Sequence, residues 1–245
     1  MNTQQIAKQI LELDPIILDT ETTGLDDNDQ IIEIAAITVS GQPLLNTLVK
    51  ANKDSHPMAL QTHGISREIT DLKGREWSDI LADLNAIFEC HPMCAYNEVF
   101  DTRMITQTCK AHKTEQPLHT TQFDIMELAN RHFIEHAIWC NERSQFERLS
   151  LEKCCEFAGI KFQGDAHRAI VDCHATLDLL TFIAEEKPDV ASNDEYEPMI
   201  ECNACDWKGK LDDSVSIGFI ESLCPECKET TCASNDAEHT LVIEA

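Results

Sequence analysis

The sequence predicts an α/β domain that is followed by a short cysteine-rich tail. Apolar runs of strand type and helical segments alternate over the first three quarters of the 245 residues, with strand candidates near residues 15–20, 31–39, 43–49, 93–96 and 120–124. Such an order is typical of an α/β core. Late in the chain, two Cys-x-x-Cys pairs follow a polar, acidic segment that contains two prolines, which indicates a linker and a second small unit.

The composition sets bounds on the architecture. A chain of 245 residues can hold one substantial domain and a small appendage, and its apolar fraction of 42% is ordinary for a globular protein. There is no apolar run long enough to span a membrane. Residues 1–14 carry Ile6, Ile10 and Leu13 among polar residues, which favours a short amphipathic helix over a signal peptide. We therefore expect a cytoplasmic protein.

The first polar segment of interest follows the apolar run that starts at Pro15. Asp19 and Glu21 are two residues apart, and side chains at i and i+2 of a strand share a face. The two carboxylates can therefore address one cation together. Gly24 begins a loop whose backbone could approach a substrate closely, because glycine has no Cβ. Taken alone, the pair is equally well explained as two acids at the solvated end of a strand.

A third acid, Asp101, ends the segment that begins at Tyr96. Asn97 is a plausible helix N-cap, which would place Asp101 in the first turn of a helix that starts near Val99. A first-turn acid is also an ordinary structural feature, because the helix dipole stabilises a negative charge there.

His167 and Asp172 stand at the start of a helix that is predicted over residues 168–184. Positions five apart do not share a helix face, so His167 must precede the helix while Asp172 lies one turn inside it. A histidine beside solvent at such a place suits a general base. A single histidine before a helix is more often structural.

Together, these four carboxylates and one histidine suit a site that holds two divalent metals and cuts phosphodiesters. Their order and spacing resemble the DEDDh exonucleases, the family of the DnaQ proofreading subunit and RNase T. The resemblance covers about residues 14–185 and includes the segments Ile31–Ile37, Leu44–Val49, Thr62–Ile65 and Phe123–Ala129. The sequence departs from the pattern at Tyr96, where many relatives have His before the Asn.

The resemblance implies an RNase H-like, mixed five-stranded sheet with helices on both faces. It also implies two catalytic Mg²⁺ or Mn²⁺ ions, in line with the preference of these ions for hard oxygen ligands. Asp19 would bridge both metals, Glu21 and Asp172 would complete the water-activating site, and Asp101 would serve the second metal. His167 would deprotonate the attacking water.

The same resemblance implies that three residues after the strand predicted at 15–20 contact the terminal nucleotide: Thr22, Thr23 and Leu25. His63, in the His-Gly-Ile segment, has two open interpretations, since it either faces the substrate or packs in the core.

The net charge of −25, from 19 basic and 44 acidic residues, is unusual for a protein that binds nucleic acid. Phosphate affinity depends largely on Lys and Arg. We therefore expect weak binding to duplex interiors, with the 3′ end held by the metals and by local cations such as Arg143, Arg148 and Arg168. A salty cytoplasm or a basic partner would also account for the charge.

The cysteines of the tail follow the pattern C-x₂-C-x₁₈-C-x₂-C, which is typical of a structural zinc site with four thiolate ligands: Cys202, Cys205, Cys224 and Cys227. Such a site is closed and has no position for a catalytic water. Strand-like runs at 215–220 and 240–243 complete the pattern of a zinc ribbon. A disulfide pair or free thiols are the alternatives, although nothing indicates an oxidising compartment.

The remaining cysteines of the main domain lack paired spacing and are predicted to be reduced and mostly buried. The predicted division is an exonuclease domain at 1–187, an acidic linker at 188–199 and a zinc ribbon at 200–245.

Two enzymatic hypotheses and one of another class follow. The first is a metal-dependent 3′→5′ exonuclease that releases nucleoside 5′-monophosphates from single-stranded or frayed DNA. The second is a 3′→5′ exoribonuclease. In the third, the ribbon recruits the nuclease to a polymerase or repair partner as a proofreading or processing module.

Overall fold

A computed structural model describes residues 2–136, 139–140, 145–146, 148–162, 164 and 167–185, and the backbone of five short strands between 199 and 231. The chain divides into two compact units. One comprises Met1–Phe133 and Leu149–Glu186, and the other comprises Ile134–Arg148 and Lys187–Ala245. The sequence did not indicate that 134–148 would group with the second unit. The predicted three-part division stays a prediction.

The first unit is built on a mixed five-stranded sheet in the order β3-β2-β1-β4-β5. β1 pairs antiparallel with β2, and β2 pairs antiparallel with β3, whereas β1–β4 and β4–β5 are parallel. The strands are β1 (Ile16–Thr22), β2 (Ile31–Ile37), β3 (Pro43–Leu48), β4 (Met93–Ala95) and β5 (Gln122–Asp124). All five match strands expected from the sequence.

Eight helices of the described chain accompany this sheet: α1 (Thr3–Glu12), α2 (Pro57–His63), α3 (Arg67–Lys73), α4 (Trp77–Phe88), α5 (Glu98–His112), α6 (Ile125–His132), α7 (Leu151–Ala158) and α8 (Ala169–Glu185). The amphipathic N-terminal helix and the helix after His167 are confirmed. None of the described helices is long and apolar enough to cross a membrane.

Alternating side chains of the central strand enter two separate hydrophobic cores, one on each face of the sheet. Ile17 packs in the core that holds buried residues of α1, α6, α7 and α8. Ile16 and Leu18 pack in the opposite core, with buried residues of α4 and α5. The expected mixed sheet with helices on both faces is therefore confirmed.

Two local details differ from the sequence expectation. The strand predicted at 15–20 continues through Thr22, because its pairing with β2 extends past Glu21. Asn97 occupies the N-cap position of α5, but its φ is +72° and its side chain makes no capping bond. Its backbone N–H donates to Oδ1 of Asp124 instead, at 3.2 Å.

The cysteines with described side chains in the first unit are all free, as expected. Cys90 is exposed, and the others are buried: Cys94, Cys109, Cys154, Cys155 and Cys173.

The described part of the second unit contains a 3-10 turn at Ile134–His136 and short antiparallel strands. They are β6 (Trp139–Cys140) with β7 (Gln145–Phe146), β8 (Met199–Glu201) with β9 (Lys208–Lys210), and a three-stranded sheet of β10 (Val215–Ser216), β11 (Ser222–Leu223) and β12 (Thr230–Thr231). The strand predicted at 215–220 begins where β10 lies. The strand predicted at 240–243 and the four cysteines of the predicted zinc site lie outside the described residues.

Candidate active site

The central strand supplies two carboxylates to one face of the sheet. Asp19 and Glu21 alternate with Thr20 along β1, so both acids point toward the side of Ile17, against which α8 packs. The antiparallel register places Asp19 opposite Ala35 and Glu21 opposite Glu33. The same-face arrangement that the sequence predicted is confirmed.

The start of α8 brings the third carboxylate to this pair. Carboxylate oxygens of Asp19, Glu21 and Asp172 all lie within 4.8 Å of one another. His167 comes before the helix with a φ of +64°, which is rare for a side chain with a Cβ. This backbone conformation separates His167 from the helix, so the helix begins after it, as the spacing of the motif predicted.

Asp101 reaches the site from the opposite helical layer. It lies in the first turn of α5, is 2% exposed, and accepts a hydrogen bond of 2.7 Å from the hydroxyl of Thr20. Asp101 is not part of the group of three carboxylates, but it is near enough that its charge acts on Asp19. The site therefore stands where helices from both faces of the sheet meet the end of β1.

Burial and mutual repulsion make this cluster hold protons more tightly than isolated acids do. Burial, then the charges of Asp101, Asp172 and Glu21, raise the pKa of Asp19 well above its usual value. Burial and the charge of Asp172 raise the pKa of Glu21 to about 8. Burial raises the pKa of Asp172 to about 6. Burial also raises the pKa of Asp101 to about 7, although the hydrogen bond from Thr20 acts in the opposite direction.

A divalent cation would remove this repulsion, and the chemistry of the donors fits one. All four side chains offer hard oxygen atoms, which suit Mg²⁺ or Mn²⁺ better than zinc. Asp19, Glu21 and Asp172 can hold one ion together, and Asp101 borders the same region from the α5 side.

His167 stands at the edge of the cluster beside an open cavity. Its side chain is 47% exposed, and Nε2 lies 3.9 Å from Oε1 of Glu152. The cavity measures about 150 Å³ and is lined by Ser150, Leu151, Glu152, Phe162, His167 and Asp172. A half-exposed imidazole next to a carboxylate cluster can exchange protons with solvent, as a general base must.

The four predicted substrate contacts have different surroundings. The Thr22 hydroxyl donates to the carbonyl of Gly24 at 2.8 Å, and that of Thr23, which is fully buried, donates to Oδ1 of Asp29 at 2.7 Å. Leu25 is 73% exposed. His63 is buried and its Nδ1 accepts from the N–H of Ile65 at 3.0 Å. Their roles toward a substrate stay predictions.

Gly24 has a packing role within the loop, in addition to the predicted approach to a substrate, which stays a prediction. A Cβ at this position would stand 2.5 Å from Oδ2 of Asp29. Asp29 cannot move away easily, because it is buried and bonded to Thr23, to the N–H of Asp26 and to the ammonium group of Lys53. The close approach at Gly24 thus serves the internal packing of the loop.

Glu33 is a residue of this region that the sequence analysis did not single out. Arg168, one of the cations predicted to serve the phosphates, binds both oxygens of this buried carboxylate, with Nε at 3.1 and 3.0 Å. A signal was present in the sequence. Glu33 is an acid inside the otherwise apolar β2, and a charge in a buried strand needs a partner.

Comparison with known proteins places the chain in a family. Residues 16–180 match the exonuclease family represented by RNase T. The uncharacterized exonuclease CP81 of Escherichia phage 186 is 34% identical over 184 residues, which cover 74% of this chain and 93% of the phage protein. The chain therefore belongs to this exonuclease family, and its class is that of nucleases.

Solved structures with the same fold include exonuclease I of E. coli. Its complex with a dT13 oligonucleotide aligns with a TM-score of 0.57 at 20% identity, over 69% of this chain and 40% of that protein. A zinc-bound form of its complex with single-stranded DNA aligns with a TM-score of 0.58 at 19% identity, over 71% and 41%. The chain thus matches about two fifths of exonuclease I, and this likeness concerns the fold.

We expect Asp19→Asn to abolish nuclease activity while making the metal-free protein more stable. Loss of a ligand that stabilises metal charge is worth several kcal/mol, so activity should fall by at least about 10³-fold. The neutral amide removes repulsion from the buried cluster, so the melting temperature in EDTA should rise.

Thermal melts with and without Mn²⁺, together with an oligonucleotide digestion, test this prediction. Mn²⁺ should raise the melting temperature of the natural protein more than that of the variant. The control is Asp178→Asn, because Asp178 is an exposed acid on α8, the helix of Asp172. This variant should keep the natural activity and the natural response of the melting temperature to Mn²⁺. A variant with natural activity, or with an unchanged response to Mn²⁺, would reject the metal site.

Proposed function

We propose that this protein is a metal-dependent 3′→5′ exonuclease that acts on single-stranded DNA and releases nucleoside 5′-monophosphates. The observation that carries the proposal is the convergence of Asp19, Glu21 and Asp172 within 4.8 Å. Asp101 borders this cluster, and a half-exposed histidine stands at its edge. These side chains stand in the order that the DEDDh exonucleases show.

Two bound Mg²⁺ or Mn²⁺ ions would supply Lewis-acid activation of water and neutralise charge at the scissile phosphate. The protein's own residues have three tasks. Asp19, Glu21, Asp101 and Asp172 would hold the ions. His167 takes the proton of the attacking water at a ring nitrogen and returns it to solvent through the open side of its cavity. The buried sheet below the carboxylates fixes their spacing.

Single-stranded DNA is the preferred substrate in this proposal for two reasons. The E. coli exonuclease I structures of the same fold include complexes with dT13 and dA16 oligonucleotides. In addition, a net charge of −25 disfavours binding along a duplex, so an end held at the metals is the natural point of attachment. RNA presents the same phosphodiester, and the assay below separates the two substrates.

We also propose that the tail binds one structural zinc ion. The segments 202–207 and 224–229 are both six residues long, and each connects two paired antiparallel strands, β8 to β9 and β11 to β12. In both segments cysteines occupy the first and fourth positions. Two equivalent hairpins with equivalent cysteine pairs support four-thiolate coordination. Zinc coordination requires these four cysteines to be reduced, in agreement with the cytoplasmic location expected from the sequence.

In this proposal, the zinc ribbon would recruit a protein partner.

His167→Ala should slow cleavage by about 10²–10⁴-fold, the usual contribution of a general base. Mn²⁺ binding should be almost unchanged, because His167 is not proposed as a ligand. Single-turnover cleavage rates and Mn²⁺ titration measure the two effects, and His119→Ala at an exposed site is the control. Loss of Mn²⁺ binding with normal cleavage would refute this role.

Matched DNA and RNA oligonucleotides should distinguish the proposed substrate. With Mg²⁺ or Mn²⁺, single-stranded DNA should be shortened stepwise from the 3′ end with release of 5′-mononucleotides, faster than RNA or duplex DNA. A 3′-phosphate should inhibit. Faster digestion of RNA would identify an exoribonuclease, and cutting of circular single strands would show an endonuclease.

The purified protein should contain about one zinc per chain. The substitution Cys202→Ser or Cys224→Ser should remove the zinc. The variant 1–187 should lack zinc yet keep metal-dependent activity on short oligonucleotides, because the carboxylates and His167 all lie in the first unit. Zinc content by elemental analysis and a digestion assay test this. A truncated chain that neither folds nor cleaves would reject the division at 187, and a zinc-free full chain would reject the ribbon.

A further inference from the structure

Glu33 is a fifth carboxylate near the active site, and its contacts differ from those of the other four. It lies on β2 opposite Glu21 and its side chain is 2% exposed. Its two oxygens accept hydrogen bonds from the guanidinium of Arg168 and from the backbone N–H of Ala169, the latter at 3.1 Å. Glu33 is outside the group of carboxylates that can share a cation, because its oxygens already face these donors.

The donors that Glu33 binds belong to the first residues of α8. The carbonyl of Arg168 accepts the N–H groups of Val171 and Asp172, at 2.8 and 3.1 Å, so Arg168 is the residue at which the helix starts. The N–H of Ala169 has no partner within the helix, as is usual in a first turn. Glu33, 136 residues earlier in the chain, supplies that partner from β2.

Two functional side chains depend on this helix start. His167 immediately precedes Arg168, and Asp172 hydrogen-bonds through its backbone to Arg168. One helical turn after Ala169, the thiol of Cys173 donates to the carbonyl of Ala35 on β2 at 3.6 Å. The first turns of α8 are thus attached to β2 at two points. The one nearer His167 is ionic.

We propose that Glu33 and Arg168 form a positioning pair that fixes the start of α8, so that His167 and Asp172 stand correctly over Asp19 and Glu21. The proposal rests on the nuclease function proposed above and adds two residues to its machinery. Neither touches the reacting atoms, and each acts through the helix start. Arg168 also keeps Glu33 from acting as an additional carboxylate in the metal cluster.

The competing role for Arg168 is a direct grip on the substrate phosphates, for which an arginine beside the site is well suited. The two roles predict different kinetics. Loss of a phosphate contact weakens binding, which raises KM and reduces the slope of log(kcat/KM) against log[salt] by about 0.7 for a single strand. A displaced general base or metal ligand lowers kcat instead, since a misplacement of about 1 Å can cost about 10²-fold.

The experiment uses the full chain with the substitutions Glu33→Gln, Arg168→Met, both together, and Arg168→Lys. Arg75→Met is the matched control, because Arg75 also binds a carboxylate, that of Asp83 at 2.8 Å, but with both side chains more than 40% exposed. Rates on a 3′-labelled DNA oligonucleotide are measured at several salt concentrations with Mn²⁺. The melting temperature of each variant is measured in EDTA.

We expect Glu33→Gln and Arg168→Met each to lower kcat by up to about 10²-fold, with KM and salt slope little changed. The double variant should be no slower than the slower single variant, since residues in one network are not additive. Arg168→Lys should have a higher kcat than Arg168→Met, because it keeps the positive charge. Arg75→Met should have the kcat of the natural protein. Arg168→Met should melt below the double variant, because it leaves a buried carboxylate unpaired.

A raised KM with a reduced salt slope in Arg168→Met would assign Arg168 to the phosphates and overturn the proposal, as would additive losses in the double variant. The melting temperatures do not depend on activity. If the natural protein cleaves no oligonucleotide, the proposed function fails. Equal melting of Arg168→Met and the double variant would then count separately against the pair.

Discussion

The electrostatic repulsion among half-buried carboxylates at the end of β1 is the constraint on which the candidate active site depends. Asp19, Glu21 and Asp172 are held close together, although burial and the charge of Asp172 raise the pKa of both Asp19 and Glu21. Such an arrangement persists only because the surrounding sheet and helices are well packed, and it stores an unfavourable energy that a cation can release. Two hydrophobic cores, one on each face of the sheet, provide that support.

The sequence was sufficient for features that depend on local pattern. Period-two alternation put Asp19 and Glu21 on one face, and helical spacing put His167 before α8 with Asp172 inside it. The five strands could be located for the same reason. These are properties of short segments, so neighbouring residues along the chain determine them.

Features that depend on distant contacts could not be predicted from the sequence. Arg168 was predicted to serve the phosphates, and its contact with Glu33 was missed because Glu33 lies on β2 and meets Arg168 only in the folded chain. Asn97 was expected to cap α5 with its side chain, yet it adopts a left-handed backbone and donates its N–H to Asp124. The internal role of Gly24 likewise depends on the position of Asp29. No local pattern encodes such pairings.

The position of Thr20 has a further consequence, which concerns the order in which the carboxylates of the candidate site come together during folding. Thr20 lies between Asp19 and Glu21 but points to the other face, where it holds Asp101. One strand thus serves both helical layers, and a slip of one residue in its pairing would reverse all three side chains. Docking of α8 alone, or of α5 alone, leaves the carboxylate set incomplete. During synthesis, the growing chain therefore cannot assemble the proposed catalytic site until α8, the last described helix of the first unit, has been made and packed.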